Sequence, residues 1–159
     1  EEEVAMVLML GVDNAGASTV LSSLRATKSK HKPPAATIGV EKSIIKLKTE
    51  TAAGTKSVAL ELLNVAGGEK SRALWKTYLP LANALMFVVD ASDVERIPEA
   101  REELHRLTFR ETYTETRAAA DPLFIPLAVL ANKVDVSGSL SASEIEDALD
   151  VRLLPYGAT

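Results

Sequence analysis

Gly11-Val12-Asp13-Asn14-Ala15-Gly16-Ala17-Ser18-Thr19 follows the unbroken apolar run Val4–Leu10 and leads into Ser18–Leu24, where helical spacing resumes. A glycine-rich turn from a buried strand into a helix, spaced G-x-x-x-x-G-K-[ST], is a phosphate-binding loop. The spacing is intact here, but Ala17 stands at the lysine position. In such a loop, entered through Asp13, the backbone N–H groups of Asn14, Ala15, Gly16, Ala17, Ser18 and Thr19 are expected to point inward. With the helix N-terminus they make a nest for di- or triphosphate oxygens. None of those donors needs a side chain. Ala17 removes one mobile ammonium, a charge-assisted contact worth roughly 1.5–3 kcal/mol, or about ten- to a few-hundred-fold in affinity. The cradle is expected to survive, weakened.

Length and composition bound the rest. A chain of 159 residues is one domain by length, 1–159, with ample apolar material for a core at 47% hydrophobic and 25% charged residues. No apolar stretch approaches the roughly eighteen residues that span a bilayer, which predicts a soluble domain. The net charge of −4 gives no general attraction to nucleic acid or anionic lipid. Lys28-Ser29-Lys30-His31-Lys32 is a local basic patch that reads as a solvated loop. His31 and His105 lack metal spacing and read as surface residues. The absence of cysteine excludes disulfides, thiolate metal sites and thiol catalysis.

Apolar runs then alternate with helical patterns. Ile44–Lys48 and Val58–Leu63 flank Thr51–Thr55, a hairpin signal. Ala84–Asp90 and Ile125–Ala131 are continuous apolar runs, as strands covered on both faces require. Pro98–Phe109 carries helical spacing through Ala100, Leu104 and Leu107, and Ser141 with Glu144 forms a capping box before Ile145–Leu149. The order describes an α/β fold: a doubly wound, mostly parallel sheet with one antiparallel edge strand and helices on both faces. A ligand belongs at the carboxyl ends of its strands.

One further motif lies at such an end. Asn132-Lys133-Val134-Asp135 follows Ile125–Ala131. The Asp135 carboxylate can accept two hydrogen bonds from the N1–H and exocyclic amine of guanine, which adenine cannot offer. Lys133 can lie over the base, and Asn132 can tie this loop to the phosphate loop.

With these elements the chain resembles the Arf-like small GTPases of the Ras superfamily. Ala36-Thr37-Ile38-Gly39-Val40 is similar to the family's P-T-I-G-F switch I, and Ser71-Arg72-Ala73-Leu74-Trp75-Lys76-Thr77-Tyr78 to its I-R-x-L-W-x-x-Y helix. Phe87–Arg96 followed by Glu99–Leu104 matches F-V-V-D-S-x-D-x-E-R with E-A-R-E-E-L. The resemblance implies the P-loop GTPase fold, with six strands and five helices, binding GTP or GDP with Mg²⁺. It also implies a place in membrane traffic or cilia, with cytoplasmic, ciliary or endomembrane localisation. Ser18 and Thr37 would ligate Mg²⁺, and the Thr37 and Gly67 backbones would meet the γ-phosphate. Gly157-Ala158-Thr159 resembles the turn that contacts the guanine, adding Ala158 and Thr159 to the nucleotide set.

The departures from the family are of one kind. Asn64-Val65-Ala66-Gly67-Gly68 occupies its D-x-G-G-Q, so the carboxylate behind the metal is the neutral Asn64 and the water-orienting glutamine is Gly68. Together with Ala17, three groups serving phosphate and metal are gone while the guanine end is untouched. Phosphoryl transfer depends on positioning and electrostatic stabilisation, so no residue is assigned a catalytic role. The expectation is an Arf-like GTP-binding protein with weakened Mg²⁺ and little hydrolysis. The alternatives are a nucleotide-free pseudoGTPase scaffold within a larger complex and a GTPase whose catalytic groups a partner supplies.

Its partners would be protein effectors or a multi-subunit complex, with no nucleic acid, and membrane association only through a partner or an N-terminal extension. Val40, Leu63, Trp75 and Tyr78 correspond to an effector-facing patch, though Trp75 also reads as core. Arg110–Asp121 lengthens the link to the next strand beyond the family spacing and reads as an exposed extension or loop. The segment after Leu149 is shorter than the family pattern, which predicts a domain lacking part of its C-terminal region.

Overall fold

The computed structural model describes residues 3–25, 39–51, 54–108 and 126–154. The chain runs β1 (Glu3–Leu10), α1 (Ala17–Arg25), β2 (Val40–Thr51), β3 (Gly54–Val65), α2 (Trp75–Tyr78), β4 (Ala84–Asp90), α3 (Ile97–Thr108), β5 (Leu127–Asn132) and α4 (Ala142–Ala148). The five strands form one sheet in the order β2-β3-β1-β4-β5. β1 pairs in parallel with β3 and β4, and β4 with β5; only β2 runs antiparallel, along β3. This is the doubly wound sheet with one antiparallel edge strand that the sequence predicts.

The unbroken apolar run of β1 is explained by its central place. Leu8 and Leu10 face one side and join the larger core with Leu85, Phe87, Leu104 and Leu149. Met9 faces the other side and packs with Leu21 of α1 and Leu62 of β3. Side chains alternate across a strand, so a strand covered on both faces must be apolar at every position. β2, at the edge, instead alternates: Val40, Lys42, Ile44 and Lys46 are exposed while Glu41, Ser43 and Ile45 are half-buried. Arg25 at the end of α1 pins this edge, donating to Glu41 Oε1 at 2.9 Å and to Ser43 Oγ at 2.8 Å.

The hairpin strands are longer than the apolar periodicity alone implies, because pairing continues to Thr51 opposite Gly54. α3 buries Ile97, Ala100, Leu104 and Leu107 at helical spacing. The capping box of α4 is formed by Ser141 and Glu144, whose hydrogen bonds from the Ser141 backbone N–H and hydroxyl lower the carboxyl's pKa. His105 departs from the surface reading. It is half-buried, and its Nε2 lies 2.7 Å from Leu149 O, joining α3 to the end of α4. Thr37, Lys28–Lys32, Arg110–Asp121, Ala158 and Thr159 lie outside the described residues, as does any sixth strand.

Trp75 is the largest buried side chain, 2% exposed, with its ring edge-on to Phe87 at 6.4 Å and its Nε1 donating to Ala66 O at 3.1 Å. Trp75→Ala is expected to destabilise the domain by about 3–5 kcal/mol, read as a lower midpoint in urea followed by circular dichroism.

Candidate functional site

Three strand ends, of β1, β3 and β5, and the segments after them converge on one cleft of about 450 Å³, lined by the whole loop Gly11–Thr19, by Asn64–Gly68, and by Ser71 and Lys133. The loop takes its shape from two left-handed residues, Asn14 at φ 64° and Gly16 at φ 94°. Gly16 is glycine for a second reason: a Cβ there would overlap the Asn132 amide. That amide donates to Ala15 O at 2.9 Å, across 117 residues of sequence. Lys133, itself left-handed at φ 60°, sends its ammonium to Asn14 O at 2.7 Å and to Asp90 Oδ2 at 2.6 Å. Burial alone would raise the Asp90 carboxyl, but Lys133 and Ser92 outweigh it and leave its pKa lowered. The phosphate loop and the N-K-x-D loop are thus one interlocked piece, as expected for Asn132. Asp135 is exposed beside it and makes no hydrogen bond to any described residue, which leaves its carboxylate open to a base.

Two details refine the loop. The Ala15 N–H donates to Val12 O at 3.2 Å, so it closes the turn and drops out of the inward-pointing set. The Asp13 carboxylate is also engaged by the protein: Arg96 donates to its Oδ1 at 2.8 Å and to the Asp13 backbone O at 2.9 Å. The hydrogen bond from Arg96 is the main reason the Asp13 pKa is lowered.

The metal end can be tested on its donors. Asn64 is 2% exposed, and its Nδ2 donates to Ser18 Oγ at 2.8 Å. A carboxylate at that position would accept from the hydroxyl and leave its oxygen turned towards a cation. The amide places a hydrogen on that oxygen instead. Among the described residues no group of three acidic or histidine side chains could hold a metal ion. Asn64 therefore lends this end of the cleft no negative charge, where Mg²⁺ sites use one or two carboxylates beside phosphates and waters.

Gly67 is seated directly on the phosphate loop: a Cβ would lie 2.7 Å from Val12 C and 2.8 Å from Asp13 N. Its neighbour Gly68 has ordinary extended backbone, φ −63° and ψ 145°, and open space where a side chain would go. Nothing in the fold requires glycine there. The segment is held from outside the cleft by Arg72, which donates to Gly67 O at 2.8 Å and pairs with Glu99 and with Glu103 of α3. Arg96 completes the network on Glu99, holding that carboxyl's pKa down. Arg72, Arg96, Glu99 and Asp90 do not follow from the loop motifs, and only the contacts reveal their positioning role.

The expected effector patch is partly corrected. Val40 is 37% exposed, but Leu63 is 5% exposed and packs in the core, as does Trp75. Tyr78 is half-buried against the same cluster. Leu63 alternates inward on β3, and Trp75 is held by Ala66 and Phe87, so neither side chain faces a partner. The apolar groups that β2 does expose are Val40, Ile44 and Leu47.

A family model described as the ADP-ribosylation factor family matches residues 1–155. The chain belongs to that family. It is 36% identical over 148 residues to human ADP-ribosylation factor-like protein 4D, covering 93% of this chain and 67% of that protein. With human ADP-ribosylation factor-like protein 4C it shares 38% identity over 143 residues, 90% of this chain and 67% of the relative. The chain therefore spans about two thirds of the length of these relatives. Among solved structures it is similar to the Arl6 BBS3 small GTPase of Trypanosoma brucei with the bound nucleotide analogue GppNp. That likeness has a TM-score of 0.70 at 28% identity and covers 93% of this chain and 78% of the other. A likeness to the mammalian SRP receptor, TM-score 0.70 at 21% identity over 91% of this chain and 70% of the other, extends to the fold alone. The chain is an Arf-like small GTPase of the Ras superfamily, and proteins of its family bind GTP or GDP with Mg²⁺.

The Arg96 network makes the site acid-sensitive in a defined direction. Asp13 and Glu99 have lowered pKa values in the folded state, so their stabilisation is complete above about pH 4.5 and is lost as pH falls through the lowered values. Both side chains are over a third exposed, so solvent screening limits the effect to about 1 kcal/mol or less. Thermal melts between about pH 6 and 3 should show a smaller acid-induced drop in Arg96→Ala than in wild type.

Proposed function

We propose that this member of the family keeps guanine recognition, binds phosphate and Mg²⁺ more weakly than its relatives, and hydrolyses GTP little or not at all. The observation that carries the reading is the asymmetry of the cleft. At the guanine end, Asn132 and Lys133 are clamped to the phosphate loop and Asp135 is left open. At the phosphate end, Ala17 offers a methyl, Asn64 an amide and Gly68 no side chain. Guanine selectivity needs only the first set, whereas stabilising charge on a transferring phosphoryl group needs the second. Turnover would then require a partner to supply a water-positioning group and a cation.

Such a protein acts by holding a surface in place. Effectors, or the other subunits of a larger assembly, would dock on the switch and β2 face in the cytoplasm, at endomembranes or at a cilium. Membrane association would come through a partner or a segment preceding Glu1. The nucleotide-free scaffold remains the second reading, supported by one observation. The carbonyls of Ala66, Gly67 and Gly68 already accept from Trp75, Arg72 and the Ser71 and Arg72 backbone. Segment 66–72 is thus ordered by protein contacts.

Titration with fluorescent guanine nucleotide tests the reading. GDP or GTP should bind at about micromolar affinity or weaker, and excess ATP should not compete. Asp135→Ala should weaken binding by about tenfold or more, because the base donors lose their acceptor. Equal competition by ATP would overturn the proposal.

Ala17→Lys should tighten binding about tenfold or more without producing multiple turnover in a phosphate-release assay. Gly68 still leaves the attacking water unplaced. Because Gly68 has room for a side chain, Gly68→Gln in the Ala17→Lys background is the variant expected to gain hydrolysis.

A further inference from the structure

The charges around the phosphate end cancel among themselves. Lys133, the one cationic side chain among the described residues lining the cleft, is engaged by Asp90 at 2.6 Å and by Asn14 O. Arg96 and Arg72 stand behind the loop, balanced by Asp13, Glu99 and Glu103. Asn64 presents an N–H to the Ser18 oxygen that a cation would otherwise face. What remains for a phosphate chain is the backbone cradle and the N-terminus of α1, equivalent to about half a positive charge. The cradle would enclose the phosphates nearest the nucleoside. A third phosphate would add negative charge beside Ala17, Gly67 and Gly68, where none of the described residues lining the cleft brings a free cation, and like charges in a partly desolvated cleft repel strongly.

We propose that this cleft is a metal-independent diphosphate site, binding guanosine diphosphate in preference to the triphosphate, with Asn64 and Ala17 setting that preference. The proposal rests on the guanine-nucleotide reading above and goes beyond it by fixing the phosphate number. In consequence the γ-phosphate does not order this protein, and its partners meet a single nucleotide state whose surface is shaped by the Arg72 network.

The test is calorimetric titration of nucleotide-stripped protein with GDP and with GTP, each in Mg²⁺ and in EDTA, for wild type, Asn64→Asp and Ala17→Lys. Wild type should bind GDP about tenfold or more tighter than GTP, with no response to EDTA. Asn64→Asp should acquire an EDTA response and Ala17→Lys should narrow or reverse the GDP preference, each by about tenfold. If Asn64→Asp does not fold, the wild-type and Ala17→Lys arms decide. Wild type that binds GTP as tightly as GDP, or that loses GDP in EDTA, overturns the proposal and leaves the guanine reading standing. Wild type and Ala17→Lys that bind neither nucleotide, while unfolding cooperatively, overturn the guanine reading and this proposal with it.

Discussion

The hydrogen bond from Asn132 to Ala15 O, made possible because Gly16 has no side chain, is the contact on which the site depends. It joins the turn after β1 to the turn after β5, two strands apart in the sheet. Without it only the Lys133 ammonium would tie the phosphate cradle to the base-reading loop. With it, and with Lys133 bridging Asn14 and Asp90, the order of one loop is the order of the other. A glycine that packs against a partner side chain in this way constrains the fold as firmly as a core residue does.

This arrangement explains how three functional groups can be absent without cost to the fold. The interlock uses backbone carbonyls and the side chains of Asn132, Lys133 and Asp90. Ala17, Asn64 and Gly68 are outside it. Ala17 is a good first residue for α1, Asn64 satisfies itself on Ser18, and Gly68 is in a conformation open to any residue. Groups that serve a ligand's charge are under functional constraint alone, and so they are the groups a chain can lose while keeping its structure.

The fold was legible because its strands declare their burial. Val4–Leu10 and Ala84–Val89 are apolar throughout because these strands are interior to the sheet, whereas β2 alternates because it is an edge. The nucleotide loops were legible because glycine spacing and N-K-x-D encode backbone geometry and a fixed donor pattern. What the pattern could not convey was direction. Asp13 sits in the loop motif, yet its carboxylate is held by Arg96, 83 residues away. Trp75 and Leu63 carry the residue types of an exposed patch or of a core equally well, and only the position of Ala66 and Phe87 decides for the core. His105 read as isolated because its partner, the Leu149 carbonyl, has no sequence signature.

The same limit bears on what a degenerate switch means. Loss of charged groups from a nucleotide site is readily taken as loss of ligand, but the two are separable by location. The groups expected to select guanine and to cradle the phosphates nearest the sugar are the Asp135 carboxylate, the other N-K-x-D side chains and backbone N–H groups, and the chain has these residues. The groups of the family pattern that the chain lacks are ones that, by the resemblance, would serve the outer phosphates, the metal and the attacking water. Segment 66–72 has a support that involves none of them: Arg72 on Gly67, Glu99 and Glu103, and Trp75 on Ala66. A segment whose order comes from α3 and the core has less to gain from a γ-phosphate than one ordered by it, since a ligand shifts a conformational equilibrium only by its differential affinity for the two states. On the proposed reading, weak metal binding and the protein-borne brace would act in the same direction, towards a surface that stays presented whatever phosphate the cleft holds.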